Sequence, residues 1–282
     1  SPAMSDLNID ALLPADMARR AEDLGVKKAE LRGLPLIALG FLAGVFIALG
    51  AVFSTTVATG AAALPFGLAR LLTGLAFCLG LVLGLVGGAE LFTGNNLIVM
   101  AWASRRVSTR LLLYHWAVVY LANLAGTVTV AVAVFIARHH ATAGGAVGRT
   151  ALEIARAKVT LASGQAIALG FLCNVLVCLA VWLSMSARTT TDRILVVLFP
   201  ITAFVAAGFE HSIANMYFGA IALLLRAFDP AFVAASGVDA APITLPALLV
   251  DNLLPVTLGN VLGGVLGVAA VYWAVFLRRR TT

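Results

Sequence analysis

Charge is what this chain has least of. Asp, Glu, Lys and Arg make up 11% of its 282 residues, against about 25% in ordinary soluble domains. Hydrophobic residues reach 61%. A soluble domain of this length cannot hide that much apolar surface, and disordered or collagen-like chains are excluded by the same figures. Cysteine is also scarce. Cys78, Cys173 and Cys178 all lie inside apolar runs, so a disulfide framework is not expected. The net charge of +6 comes with no basic stripe interleaved with aromatics, so no nucleic-acid partner is expected. No Walker motif, nucleophile elbow or metal-ligand cluster occurs, which speaks against ATP coupling, against an enzyme and against a cofactor or metal. Paired Asn-Pro-Ala half-helices, the usual mark of water and glycerol channels, are missing too. An integral membrane protein remains.

The gaps between charges mark the spans. No charged residue occurs at 33–69, 111–137, 159–187 or 252–277. Each window holds a helix crossing a core of about 30 Å at about 1.5 Å per residue. The first is also expected to contain a connector, "STTVATGAAALPFG", from its Thr, Gly and Pro. Two more apolar stretches, Arg70 to Arg105 and Arg193 to Arg226, are interrupted only by Glu90 and Glu210. They are too long for one straight helix and too short for two spans with a turn. One broken span each fits, with "GGAELFTGNN" and "AAGFEHSIAN" as the irregular middles.

The organisation that follows is an N-terminal amphipathic segment at 5–34, a six-span domain at 35–277 and a tail at 278–282. The opening Ser1-Pro2-Ala3-Met4 reads as a cloning remnant, and residues 5–34 lack the apolar core of a cleaved signal peptide. Six spans put both ends on one side. That side collects Arg19, Arg20, Lys27, Lys28, Arg32, Arg105, Arg106, Arg110, Arg188, Arg193, Arg278, Arg279 and Arg280. The other holds Arg70, Arg138, Arg149, Arg156, Lys158 and Arg226. The excess predicts cytoplasmic termini.

A repeat lies under the hydropathy. "IALGFL" begins at Ile37 and again at Ile167, the second and fifth spans carry the breaks, and "NLAG" at Asn123 answers "NVLG" at Asn260. Two three-span halves of opposite orientation form the inverted-repeat plan of channels and transporters. Half-helix N-termini meeting at the centre would offer unpaired N–H groups to an anion. Within the breaks, Glu90 and Glu210 read as caps of those N–H groups. His211 is the only histidine in a broken span, and an ionisable group at that depth is costly unless functional.

These same segments resemble the formate/nitrite transporter family. "GGAELFTGN" (87–95), "LCNVLVCLAVWLS" (172–184), "GFEHSIANM" (208–216) and "PVTLGNVLGG" (255–264) match its signatures in order. "LLPADMARRAEDLGVKKA" and "LPFGLARLLTG" are most similar to the formate-channel branch. The resemblance implies an all-α, aquaporin-like fold of six transmembrane helices in a 3+3 inverted repeat. It implies a homopentamer in a bacterial inner membrane, with one pore per protomer and formate and protons as permeants. Nitrite, hydrosulfide, acetate or lactate are the alternatives. It also implies site roles: His211 as the central pore histidine, Thr93 facing it, and Asn174 close by. Asn260 would line the pore or bridge helices, Lys158 would attract anions at the outer vestibule, and Glu210 would influence His211. Phe77 and Phe204 would form the outer constriction, and Leu81, Leu91, Phe92 and Val177 the inner slit. A dry constriction of this kind rejects a hydrated ion more strongly than a small neutral acid.

Overall fold

The computed structural model describes residues 11–278, all helical or connecting. The expected cloning remnant, the start of the N-terminal segment (residues 5–10) and Arg279, Arg280 and the rest of the tail lie outside the described residues. Among the described residues six helices are long and apolar enough to cross a membrane: α2 (Gly33–Ala58), α3 (Phe66–Gly87), α5 (Thr109–Ile136), α7 (Ser163–Ser184), α8 (Thr190–Ala207) and a composite last span (Ala247–Phe276). That last span is α11 (Leu254–Gly264) and α12 (Ala270–Phe276) joined through wider helical turns. It begins earlier than the charge-free window and takes in Asp251, whose side chain is exposed.

The second and fifth spans are broken as expected. α3 stops at Gly87, and the chain resumes as a tight turn (Gly94–Ile98) running into the short α4 (Val99–Ala103). α8 stops at Ala207 and resumes as α9 (Ser212–Phe228). Each break opens on a glycine in the left-handed region, Gly88 at φ 77° and Gly208 at φ 78°, where a Cβ is strained. A bend of 108° separates α9 from α10 (Pro230–Ser236).

Two amphipathic helices complete the pattern. α1 (Pro14–Glu30) buries Met17, Ala18, Ala21, Gly25 and Ala29 against the tight turn and α4. α6 (Ala146–Val159) packs on α9. Each precedes the first span of its half and covers the segment that returns from its half's break. The repeat therefore contains one amphipathic helix per half in addition to three spans, and α1 is a packed part of the body.

Close helix pairs hold each half together. Side chains at Gly44 and Gly126 would collide with the backbone of Asn123 and Phe41, and at Gly259 and Gly263 with that of Ile167 and Phe171. These contacts set the approach of α2 to α5 and of α11 to α7. The expected connector starts later than its Ser and Thr suggested, because α2 continues to Ala58. Ser54 and Thr55 donate to the Ala51 carbonyl and Thr56 to that of Val52, so the hydroxyls are satisfied inside the helix.

Candidate functional site

The two breaks meet. Thr93 Oγ1 lies 3.0 Å from His211 Nε2, with Thr93 fully buried and His211 nearly so. His211 is also the N-cap of α9: its Nδ1 accepts from the Ala214 N–H at 3.1 Å. With Nδ1 an acceptor, the neutral ring carries its proton on Nε2 and donates it to Thr93 Oγ1. The Thr93 hydroxyl proton is then left to donate elsewhere.

Asn123 and Asn260 pin the breaks in the same way. Asn123 Oδ1 accepts from Phe92 N–H, while its Nδ2 donates to the Gly40 and Glu90 carbonyls. Asn260 Oδ1 accepts from Ser212 N–H, while its Nδ2 donates to the Gly170 and Glu210 carbonyls. Asn174 bridges Thr93 O, Asn96 Oδ1 and Asn260 O. All three amides are fully buried.

These bonds revise two expectations. The N–H groups of Ser212 and Ala214 are already taken by Asn260 and His211, so α9 does not present them unpaired. The first break resumes as a 3₁₀ turn whose Asn95 and Asn96 N–H groups go to the Leu91 and Thr93 carbonyls, so those are not offered unpaired either. The glutamates are not caps either. Glu90 Oε1 accepts from Lys28 Nζ at 2.8 Å and Oε2 from Asn95 Nδ2 at 2.7 Å. Glu210 Oε1 accepts from Lys158 Nζ at 2.8 Å and Oε2 from Asn215 Nδ2 at 2.6 Å. A buried carboxylate pairs with a cation in preference to neutral N–H groups that an amide can serve.

A cavity opens on either side of this waist. On the α6 side, about 440 Å³ is lined by Lys158, Glu210, His211, Phe77, Phe204 and Arg70, among others. The Phe77 and Phe204 rings stand edge to face at 5.7 Å, and Phe204 stacks on His211 at 5.8 Å. On the α1 side, about 380 Å³ is lined by Lys28, Glu90, Asn95, Leu81, Leu91 and Arg20, among others. Lys158 is mostly buried and sits over the Phe218 ring at 5.4 Å. Phe92 and Val177 line neither cavity. Phe92 packs edge-on against Trp116 and Tyr120, and Val177 is buried in the core. Asn174, Asn260 and Thr93 line neither cavity as well, and Thr93 is reached from the α6 side only behind His211.

Sequence reasoning missed Lys28 and His115. Lys28 read as one of several surface cations. His115 drew no role from the sequence, yet it is fully buried beside Glu90 and Asn95.

The formate/nitrite transporter family profile matches residues 15–274. The chain belongs to the formate/nitrite transporter family. This family member is 42% identical over 280 residues to the formate channel FocA of Escherichia coli K12, covering 97% of this chain and 98% of the relative. It is 39% identical to the formate channel FocA of Haemophilus influenzae, covering 90% and 91%. A solved pentameric formate channel with formate bound superposes with a TM-score of 0.81 at 41% identity, over 86% of this chain and 97% of that one. A solved FNT family ion channel gives 0.76 at 27% identity, over 92% and 98%.

Proposed function

We propose that the protein is a pH-dependent channel for formate, and that five copies assemble with one pore in each. One observation carries this reading: the Thr93–His211 pair stands between two lysine-bearing cavities, with a hydroxyl proton unspent. Lys28 and Lys158 are neutralised by Glu90 and Glu210. Arg20 and Arg193 at one mouth and Arg70 at the other therefore supply the net positive charge that raises the local concentration of a small anion. The Phe77–Phe204 and Leu81–Leu91 pairs then strip its water. At the waist Thr93 donates to the carboxylate, and His211 donates to Thr93 behind it. Taking the Nε2 proton from His211 would leave a buried anionic ring, so His211 acts here as a neutral donor and not as the acid. The names and sequences of the relatives support formate as the permeant, and the narrow aromatic gate supports a substrate of that size.

Purified protein in liposomes tests the reading. Formate is expected to cross faster than nitrite or acetate, with a strong dependence on pH. Flux of all three equal to that of protein-free liposomes would overturn it.

The Lys and Arg excess orients the α1 side to the cytoplasm. α1, α4 and the Arg105–Arg110 segment then lie inside, and the loop before α6 lies outside, with the protein in a bacterial inner membrane.

A further inference from the structure

The lysine–glutamate clusters at the two mouths are built on one plan but differ at a single position. On the α6 side Asn215 Nδ2 donates to Glu210 Oε2 and to Asn252 Oδ1 at 2.9 Å. Asn252 spends its other group on the Lys158 carbonyl at 2.9 Å. On the α1 side Asn95 Nδ2 donates to Glu90 Oε2, and the atom 2.9 Å away in place of Asn252 Oδ1 is His115 Nε2. The repeat thus sets a titratable ring opposite a neutral amide.

Hydrogen-bond logic fixes the state of that ring. An ionised Glu90 only accepts, so Asn95 must turn its NH₂ toward it, and the same nitrogen faces His115. His115 Nε2 is therefore unprotonated and the ring proton sits on Nδ1. That atom is buried with no hydrogen-bond partner among the described residues, where Asn252 has the Lys158 carbonyl. An unpaired buried donor is costly. Glu90 Oε2 lies only 3.6 Å from His115 Nε2. A proton added at Nε2 turns the Asn95 contact donor against donor and breaks it, and by a small closure is given instead to that carboxylate as a charge-assisted bond.

We propose that His115 is a proton site specific to the α1-side mouth. A proton from the vestibule water binds Nε2, the imidazolium pairs with Glu90, and the cluster changes from neutral to +1. The charged groups facing His115 are Glu90 from the break and Lys28 from α1. Arg20 and Arg193 line the same cavity, and Asn95 and Trp116 contribute no charge. Glu90 lines the cavity and touches the ring's surroundings, so it is the entry route for the proton. One added unit charge near the mouth raises anion occupancy there by about fivefold. The α6-side cluster, with Asn252, has no such response. The pore therefore senses acid asymmetrically, loading anion from the α1 side when that side acidifies.

This step rests on the channel reading, so two measurements separate them. The first needs no flux: nitrogen NMR of the imidazole in the pentamer between pH 7.5 and 5. The doubly protonated signal of His115 should grow with acid and be missing in His115→Asn. A ring that stays singly protonated throughout overturns the proposal whether or not formate is carried. The second measures formate entry from the α1 side in liposomes oriented by an N-terminal tag. Acidifying that side should raise anion entry about fivefold in the wild type, and much less in His115→Asn, which copies the other mouth. Response to acid on the α6 side should be alike in both. Equal α1-side responses would overturn the coupling to transport. His115→Gln serves where the Asn variant fails to assemble. Absence of any wild-type formate flux would sink the channel reading while the NMR result stands.

Discussion

At the residue scale, one side chain holds two jobs. His211 caps α9 through Nδ1 and backs the Thr93 hydroxyl through Nε2. Two substitutions separate these jobs. Asn is a good N-cap, so His211→Asn should keep thermal stability close to wild type while formate flux falls at least tenfold. His211→Phe should lose flux and also about 1 kcal/mol of helix capping, read as a lower melting temperature in detergent. Wild-type flux in either variant would remove His211 from the pathway. His211 and Thr93 were legible because each sits in a polar interruption of an apolar run. Lys28 and Lys158 were harder to interpret. Their carboxylate partners lie 62 and 52 residues away, and no local pattern reports so distant a bond. His115 became meaningful only when the "NLAG" and "NVLG" spans were laid together, which sets it opposite Asn252.

At the element scale, the breaks are held by amides. Removing Asn123 orphans the Glu90 carbonyl and the Phe92 N–H in the interior and strips the Gly40 carbonyl of its second partner. Each unpaired group costs about 1–3 kcal/mol. Asn123→Ala and Asn260→Ala should therefore lower the melting temperature sharply and by similar amounts, because the second amide holds the matching three groups. A large drop in one and none in the other would show that the halves are not equivalent in energy. The sequence exposed the two interruptions, since Gly and polar residues stand out in apolar runs. It did not expose what fills them. A buried amide reads the same whether it faces a pore or ties two backbones, and only the three-dimensional bond pattern distinguishes these.

At the scale of the whole molecule, the six spans and their inverted order were readable because a bilayer imposes length and polarity on every crossing. The place of α1 was less readable. An amphipathic pattern fits a membrane surface and a protein groove equally well, and only α6, its mate in the second half, shows which applies. Orientation is open to a direct check. In intact cells, a Thr142→Cys variant in the loop before α6 should react with a membrane-impermeant thiol reagent, and an Asp16→Cys variant should react only after lysis. The native cysteines are buried and free, so the background should be low. The reverse pattern would invert the assigned topology.

The paired amide clamps have a mechanical consequence. Asn123 joins the first break to α2 and α5 at once, and Asn260 joins the second to α7 and the last span. The breaks then touch at Thr93 and His211. Each clamp is internal to its half, but Asn174 of the second half bonds the Thr93 carbonyl and Asn96 of the first, so rocking one half against the other would shear those buried bonds and the Thr93–His211 contact. The interior is braced at the meeting of the breaks, which on the channel reading proposed above gives selection to a fixed sieve and not to an airlock with alternating doors.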